Sequence, residues 1–104
     1  MEGFSNMIWV TFWTLNPSLP PSKVAEVAAK LTEKGLYPPK GTKILGWYIC
    51  PGGRGVTISE SEVASGESAF ENYVMWEKEL PGIFASYETL PAVSAEKEIS
   101  IVLK

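Results

Sequence analysis

Hydrophobic and polar positions fall into short alternating runs separated by stretches of helical spacing. Met7–Thr14 (MIWVTFWT) is β-branched and aromatic, which favours a strand. Its odd positions are Met7, Trp9, Thr11 and Trp13, its even ones Ile8, Val10 and Phe12, so both faces are largely apolar. A sheet with one solvated face alternates apolar with polar; both faces of this strand are expected to be covered. Asn16–Pro21 (NPSLPP) reads as a loop. Val24, Val27, Ala28 and Leu31 then recur at the spacing of one buried stripe and predict a helix over Lys23–Lys34, with Ser22 as N-cap and Gly35 just past its end.

Two further apolar runs, Lys43–Cys50 and Val56–Glu60, flank Pro51–Gly55 and predict a β-hairpin. Gly52, Gly53 and Gly55 supply the positive φ angles a tight reversal needs. In the first of these strands Ile44, Gly46, Tyr48 and Cys50 share one side, and Leu45, Trp47 and Ile49 the other. A glycine inside a strand, as Gly46 is, marks close approach of another group. After a polar loop, Ser68 with Glu71 forms a capping box for a helix over Ser68–Leu80, whose stripe is Ala69, Tyr73, Trp76 and Leu80. Ile83–Leu90 reads as the fourth strand. The tail Ser94–Lys104 fits either period; Ser94 followed by Glu96 and Glu98 favours a short helix.

The order is therefore βαββαβ plus a terminal helix. It predicts one α+β domain over residues 1–104 of the ferredoxin-like class: a four-stranded antiparallel sheet with two helices on one face. Such a sheet leaves its second face bare. The face carrying Trp9 and Trp13 is expected to be that face, covered by a second copy of the chain in a dimeric α+β barrel, because two exposed indoles make a patch seldom left open.

Composition narrows the chemistry. The chain has 104 residues, a net charge of −3 and no basic cluster, so nucleic acid is not an expected partner. It has no histidine, which removes histidine-based triads, histidine-ligated haem and the usual zinc sites; no metal or cofactor is expected. Cys50 stands alone and forms no internal disulfide. No membrane-spanning run or basic leader is read, and a cytoplasmic protein is expected.

The segment PPKGTKILGWY, with Pro39, Gly41, Leu45, Gly46 and Tyr48, resembles the motif of a family of small bacterial and archaeal domains, domain of unknown function 3303. Glu60, Trp76, Glu88 and Pro91 fall where that family tends to have such residues. The resemblance implies a dimeric, ferredoxin-like α+β barrel and no established activity. Departures are Tyr48, where the family often has Trp, Trp47, where it has a polar or basic residue, and a longer serine-rich loop.

Candidate sites follow. Pro51–Gly55 (PGGRG) reads as a turn and not a phosphate cradle, since it lacks the lysine–serine pair and a following helix. Cys50 has no visible activating partner and reads as a buried structural thiol. Trp9, Trp13, Gly46 and Tyr48 are the candidate ligand-binding set, in an aromatic cavity between the sheet and its partner; packed interface rings are the competing reading. Glu60, Glu88 and Tyr48 are the candidate catalytic groups, with solvated surface carboxylates the competing reading for the acids. The leading expectation is a non-catalytic domain binding a small apolar or aromatic molecule. The rivals are a cofactor-independent monooxygenase or isomerase, and a purely structural homo-oligomer.

Overall fold

The computed structural model describes residues 7–61 and 66–104. Strand β1 (Met7–Leu15) leads to helix α1 (Pro21–Glu33), hairpin β2 (Thr42–Cys50) and β3 (Arg54–Ser61), helix α2 (Gly66–Glu79), strand β4 (Phe84–Ala92) and helix α3 (Ala95–Val102). The sheet order is β2-β3-β1-β4, antiparallel throughout. This is the expected ferredoxin-like α+β arrangement. No helix among the described residues is long and apolar enough to cross a membrane.

Local starts and stops differ in instructive ways. Helix α1 begins at Pro21 with Pro20 as N-cap and no side-chain cap, so Ser22 is already helical. Proline tolerates the first helical turn because its missing N–H has no partner there anyway. Gly35 ends α1 at φ 71°, as its place past the stripe predicts. Helix α2 starts two residues before Ser68, whose side chain lies outside the described residues, as does that of Ala69. The tail is helical, and the Ser94 hydroxyl accepts from the Lys97 N–H as an N-cap should. In the hairpin Gly52 and Gly53 take positive φ, whereas Gly55 sits inside β3.

Strand register decides the faces. Across the sheet, Trp47, Thr57, Thr11 and Thr89 form one row; Ile49, Gly55, Trp13 and Tyr87 form the next. Ile44, Ser59, Trp9 and Pro91 form a third on the same side. This side faces α1 and α2: Trp47 and Phe84 both pack edge-on against Trp76 of α2 at 6.3 and 6.4 Å. The opposite side carries Gly46, Ile58, Val10 and Leu90 in one row, and Tyr48, Val56, Phe12 and Glu88 in another. Trp9 and Trp13 therefore lie under the helices, not on the bare face. The bare apolar face belongs instead to Ile8, Val10 and Phe12 with their neighbours, and Phe12 and Leu90 are about half exposed.

Strict alternation also fails once in β2. A register shift between Ile44 and Gly46 puts Ile44 on the helix side, with Trp47 and Ile49, while Gly46 and Tyr48 stay on the bare side.

The helices close on each other around Leu31 and Ile83, both fully buried, with Val27, Tyr37, Trp76 and Leu80. An exposed Lys30–Glu79 ion pair at 2.9 Å ties α1 to α2 at the surface. Asn16 clamps the two loops at that end of the sheet: its Oδ1 accepts from Ser18 N–H and its Nδ2 donates to the Gly82 carbonyl. Every residue of α3 is exposed, including Ile99, Ile101 and Val102.

Gly55 and Gly46 make a paired test of the two faces. A Cβ on Gly55 would overlap the Trp13 indole, which is itself held by a hydrogen bond to Thr57. A Cβ on Gly46 would meet the edge of the exposed Tyr48 ring at 2.9 Å and the Ile58 side chain at an ordinary 3.6 Å. Gly55→Ala is expected to cost about 1–3 kcal/mol in thermal unfolding, and Gly46→Ala within about 0.5 kcal/mol of zero. Equal costs would contradict the facing assigned to Trp13.

Candidate functional site

A cavity of about 350 Å³ lies between the helices and the sheet. Its existence follows from residue size. The floor, on the helix side of the central strands, is built from Thr11, Thr57, Ser59, Ser61 and Thr89, side chains too short to reach the helices. The roof is Val24, Ala25 and Ala28 of α1 and Asn72 and Trp76 of α2. Aromatic rings act as the pillars that keep the layers apart.

Those rings touch in series. Tyr37 lies 4.8 Å from Trp47 and 5.3 Å from Trp76 by ring centroids; Phe84 lies 4.9 Å from Tyr87, which is 4.9 Å from Tyr73. Such tilted and edge-to-face contacts add about 0.5–1.5 kcal/mol each beyond area burial. The packing is rigid without filling the space above the hydroxyl floor.

Polar groups in the walls bond mainly to one another. Trp13 Nε1 donates to Thr57 Oγ1 at 2.9 Å, the hydroxyls of Thr11 and Thr89 share a 2.9 Å bond, and Asn72 Nδ2 donates to the Tyr87 hydroxyl at 3.0 Å. Asn72 Oδ1 is buried with no partner. Among the described residues no Asp, Glu, Lys or Arg lines the cavity. Burial pushes the Tyr37 phenol up to about 12 against a weaker opposing bond to Thr57, and burial likewise raises Tyr87 against its bonds to Asn72, Thr89 and Thr11. The walls are therefore neutral at ordinary pH.

The expected site residues divide between the two sides of the sheet. Trp9 and Trp13 line the cavity. Tyr48 touches its rim from the edge strand β2, but its ring lies over Gly46 beside Ile58 on the bare face. Gly46 is on that bare face too, so the expected four-residue pocket is not one pocket. Glu60 and Glu88 also lie on the bare face, opposite Ile8 and Phe12 of β1. Those two rows are four residues apart, about 13 Å along the strand, so the acids are not a convergent pair. Lys43 stands opposite Glu60 in register. Cys50 is exposed. Among the described residues no group of acids and cysteine is placed to hold a metal.

Sequence reasoning passed over Thr11, Thr57, Ser59, Asn72 and Tyr87. The available signal was a polar residue, Asn72, one turn before Trp76 on the apolar side of α2, together with Thr57, Ser59 and Ser61 recurring every second residue in β3.

No protein-family model matches the chain. No curated protein matches it either. Solved structures do match. A dimeric ferredoxin-like protein of unknown function from Thermobifida fusca is similar with a TM-score of 0.54 at 11% identity, over 86% of this chain and 91% of that one. A putative antibiotic biosynthesis monooxygenase from Bacteroides thetaiotaomicron is similar with a TM-score of 0.56 at 13% identity, over 86% and 90%. The fold is ferredoxin-like. At these identities the likeness extends to the fold alone.

The raised Tyr37 phenol sets an alkaline limit. An unfolded tyrosine ionises near 10, the buried one near 12, so the stabilisation is intact below pH 10 and is lost as pH rises towards 12. Tyr37→Phe is expected to flatten that fall in a urea-unfolding series from pH 9 to 12. An unchanged slope would show that Tyr37 is not the group responsible.

Proposed function

We propose that this protein binds a small, largely apolar molecule in the cavity between its helices and its sheet. The observation that carries the reading is a concave space of about 350 Å³ under four tryptophans with hydroxyls on its floor, the make-up of small-molecule pockets. A core built only for stability would place large aliphatic side chains there. Trp9 and Trp13 would stack on the ligand, and Thr57 would hold the Trp13 indole in place.

A second copy of the chain covers the bare face in this reading. Ile8, Val10, Phe12, Val56, Ile58 and Leu90 form a continuous apolar surface there, larger than isolated monomers usually leave open. Placement in the domain of unknown function 3303 family goes with this dimer, on the strength of the PPKGTKILGWY segment. Catalysis without a cofactor, as a monooxygenase or isomerase, is the second reading. The structural likeness to a putative antibiotic biosynthesis monooxygenase favours it, and the lack of a carboxylate among the described wall residues counts against a protein-borne base. A role for Glu60 or Glu88 in proton transfer would have to act from the opposite face.

Uptake of the neutral fluorophore N-phenyl-1-naphthylamine tests the site, with sedimentation measured on the same samples. Wild type is expected to take up one molecule per chain and to sediment as a dimer. Ser59→Leu fills the floor and is expected to abolish uptake while remaining a dimer. Phe12→Lys places an ammonium opposite Glu88, which helps the variant fold, and is expected to give a monomer that still takes up the dye. No uptake by wild type contradicts the cavity reading; a dimeric Phe12→Lys contradicts the interface.

A further inference from the structure

Asn72 stands on α2 one turn before Trp76, and both line the cavity. Its Nδ2 is committed to the Tyr87 hydroxyl at 3.0 Å. Its Oδ1 is the one buried side-chain oxygen or nitrogen left without a hydrogen bond among the described residues. A buried carbonyl in that state loses its hydration and gains nothing in return, which folded proteins rarely accept. No donor among the described residues lies within hydrogen-bond distance of it. Tyr87 accepts from Nδ2 and has Thr89 and Thr11 as its other partners. Thr11 and Thr89 bond each other, and the Trp13 N–H goes to Thr57.

The oxygen is closed off as it stands, so a donor from outside meets it as the Asn72 amide turns into the cavity that the residue lines. Charge is excluded by the walls, because a carboxylate or ammonium entering them would shed water without meeting a counter-ion. Shape is set by Trp9, Trp13 and Trp76, whose flat faces favour a flat partner. The volume lies at the small end of ligand pockets, which suits two fused rings better than four. We infer that the ligand is an uncharged, flat aromatic molecule of the phenol or N–H heterocycle class, and that its hydroxyl or N–H donates to Asn72 Oδ1. This rests on the cavity being the binding site. It adds the ligand's charge, its shape and the single polar contact that orients it.

Isothermal titration of four probes at pH 7 tests the assignment: 2-naphthol, 2-methoxynaphthalene, naphthalene and 2-naphthoate. Wild type is expected to bind 2-naphthol at least about tenfold more tightly than naphthalene or 2-methoxynaphthalene, the scale of a donor satisfying a buried acceptor. The naphthoate is expected not to bind. In Asn72→Leu the naphthol is expected to fall to the level of naphthalene, with naphthalene binding kept. Equal binding of naphthol and naphthalene by wild type, or preference for the methoxy compound, would overturn the donor assignment and leave the cavity reading standing. Preference for the naphthoate would overturn the neutral-ligand assignment. No binding of any probe, together with no dye uptake, would remove the cavity reading itself. The wild-type comparison decides the matter even where Asn72→Leu does not fold.

Discussion

The structure depends on an inverted distribution of side-chain size across one sheet. In a two-layer sandwich the face under the helices usually carries the large aliphatic residues, because burying them there stabilises the fold. Here the central strands send Ile8, Val10, Val56 and Ile58 to the other face and present Thr11, Thr57 and Ser59 to the helices between Trp9 and Trp13, with Thr89 of the edge strand β4 beside them. The helices cannot settle onto so low a floor. They rest on rings at its edges, Trp47 on one side and Phe84 and Tyr87 on the other, through Trp76 and Tyr73. One allocation thus accounts both for the space between the layers and for the apolar surface left outside.

Packing energy has correspondingly moved away from the middle of the sandwich. The fully buried residues, Leu31 and Ile83, belong to α1 and to the turn into β4. The ring series then links β2, α2 and β4, and Trp13 of the central strand joins it through Phe84 at 6.3 Å. Hydrogen bonds replace apolar contact there: indole to threonine, threonine to threonine, amide to phenol. Such a network holds its geometry only when its members are satisfied, which gives the unpaired Asn72 oxygen its weight.

The element order was legible because five of the six core elements carry a clear period and the turns carry glycine or proline in the right places. The facing of β1 was not. Alternation separates Trp9 and Trp13 from Ile8, Val10 and Phe12, but both sets are apolar, so the pattern has no sign. The hydroxyls of β3 broke the tie: Thr57 and Ser59 look solvent-facing on a hydropathy scale, yet they share a side with the tryptophans under the helices. Giving the indoles to the face that a second copy covers put them on the wrong side. Tyr48 and Gly46 were correctly grouped with each other, but the register shift after Ile44 separated them from Ile44 and from the cavity. Gly55 looked like a turn glycine by position and is instead the place where Trp13 lies flat on the strand.

The position of a bound aromatic molecule tests the inverted floor most directly. A crystal soaked with 2-bromonaphthalene, measured at the bromine absorption edge, gives that position without assumptions about the pose. The account predicts the anomalous peak above Thr11, Thr57 and Ser59, beneath Trp76. A peak against Val10, Phe12 and Ile58 instead, with the floor empty, would contradict it.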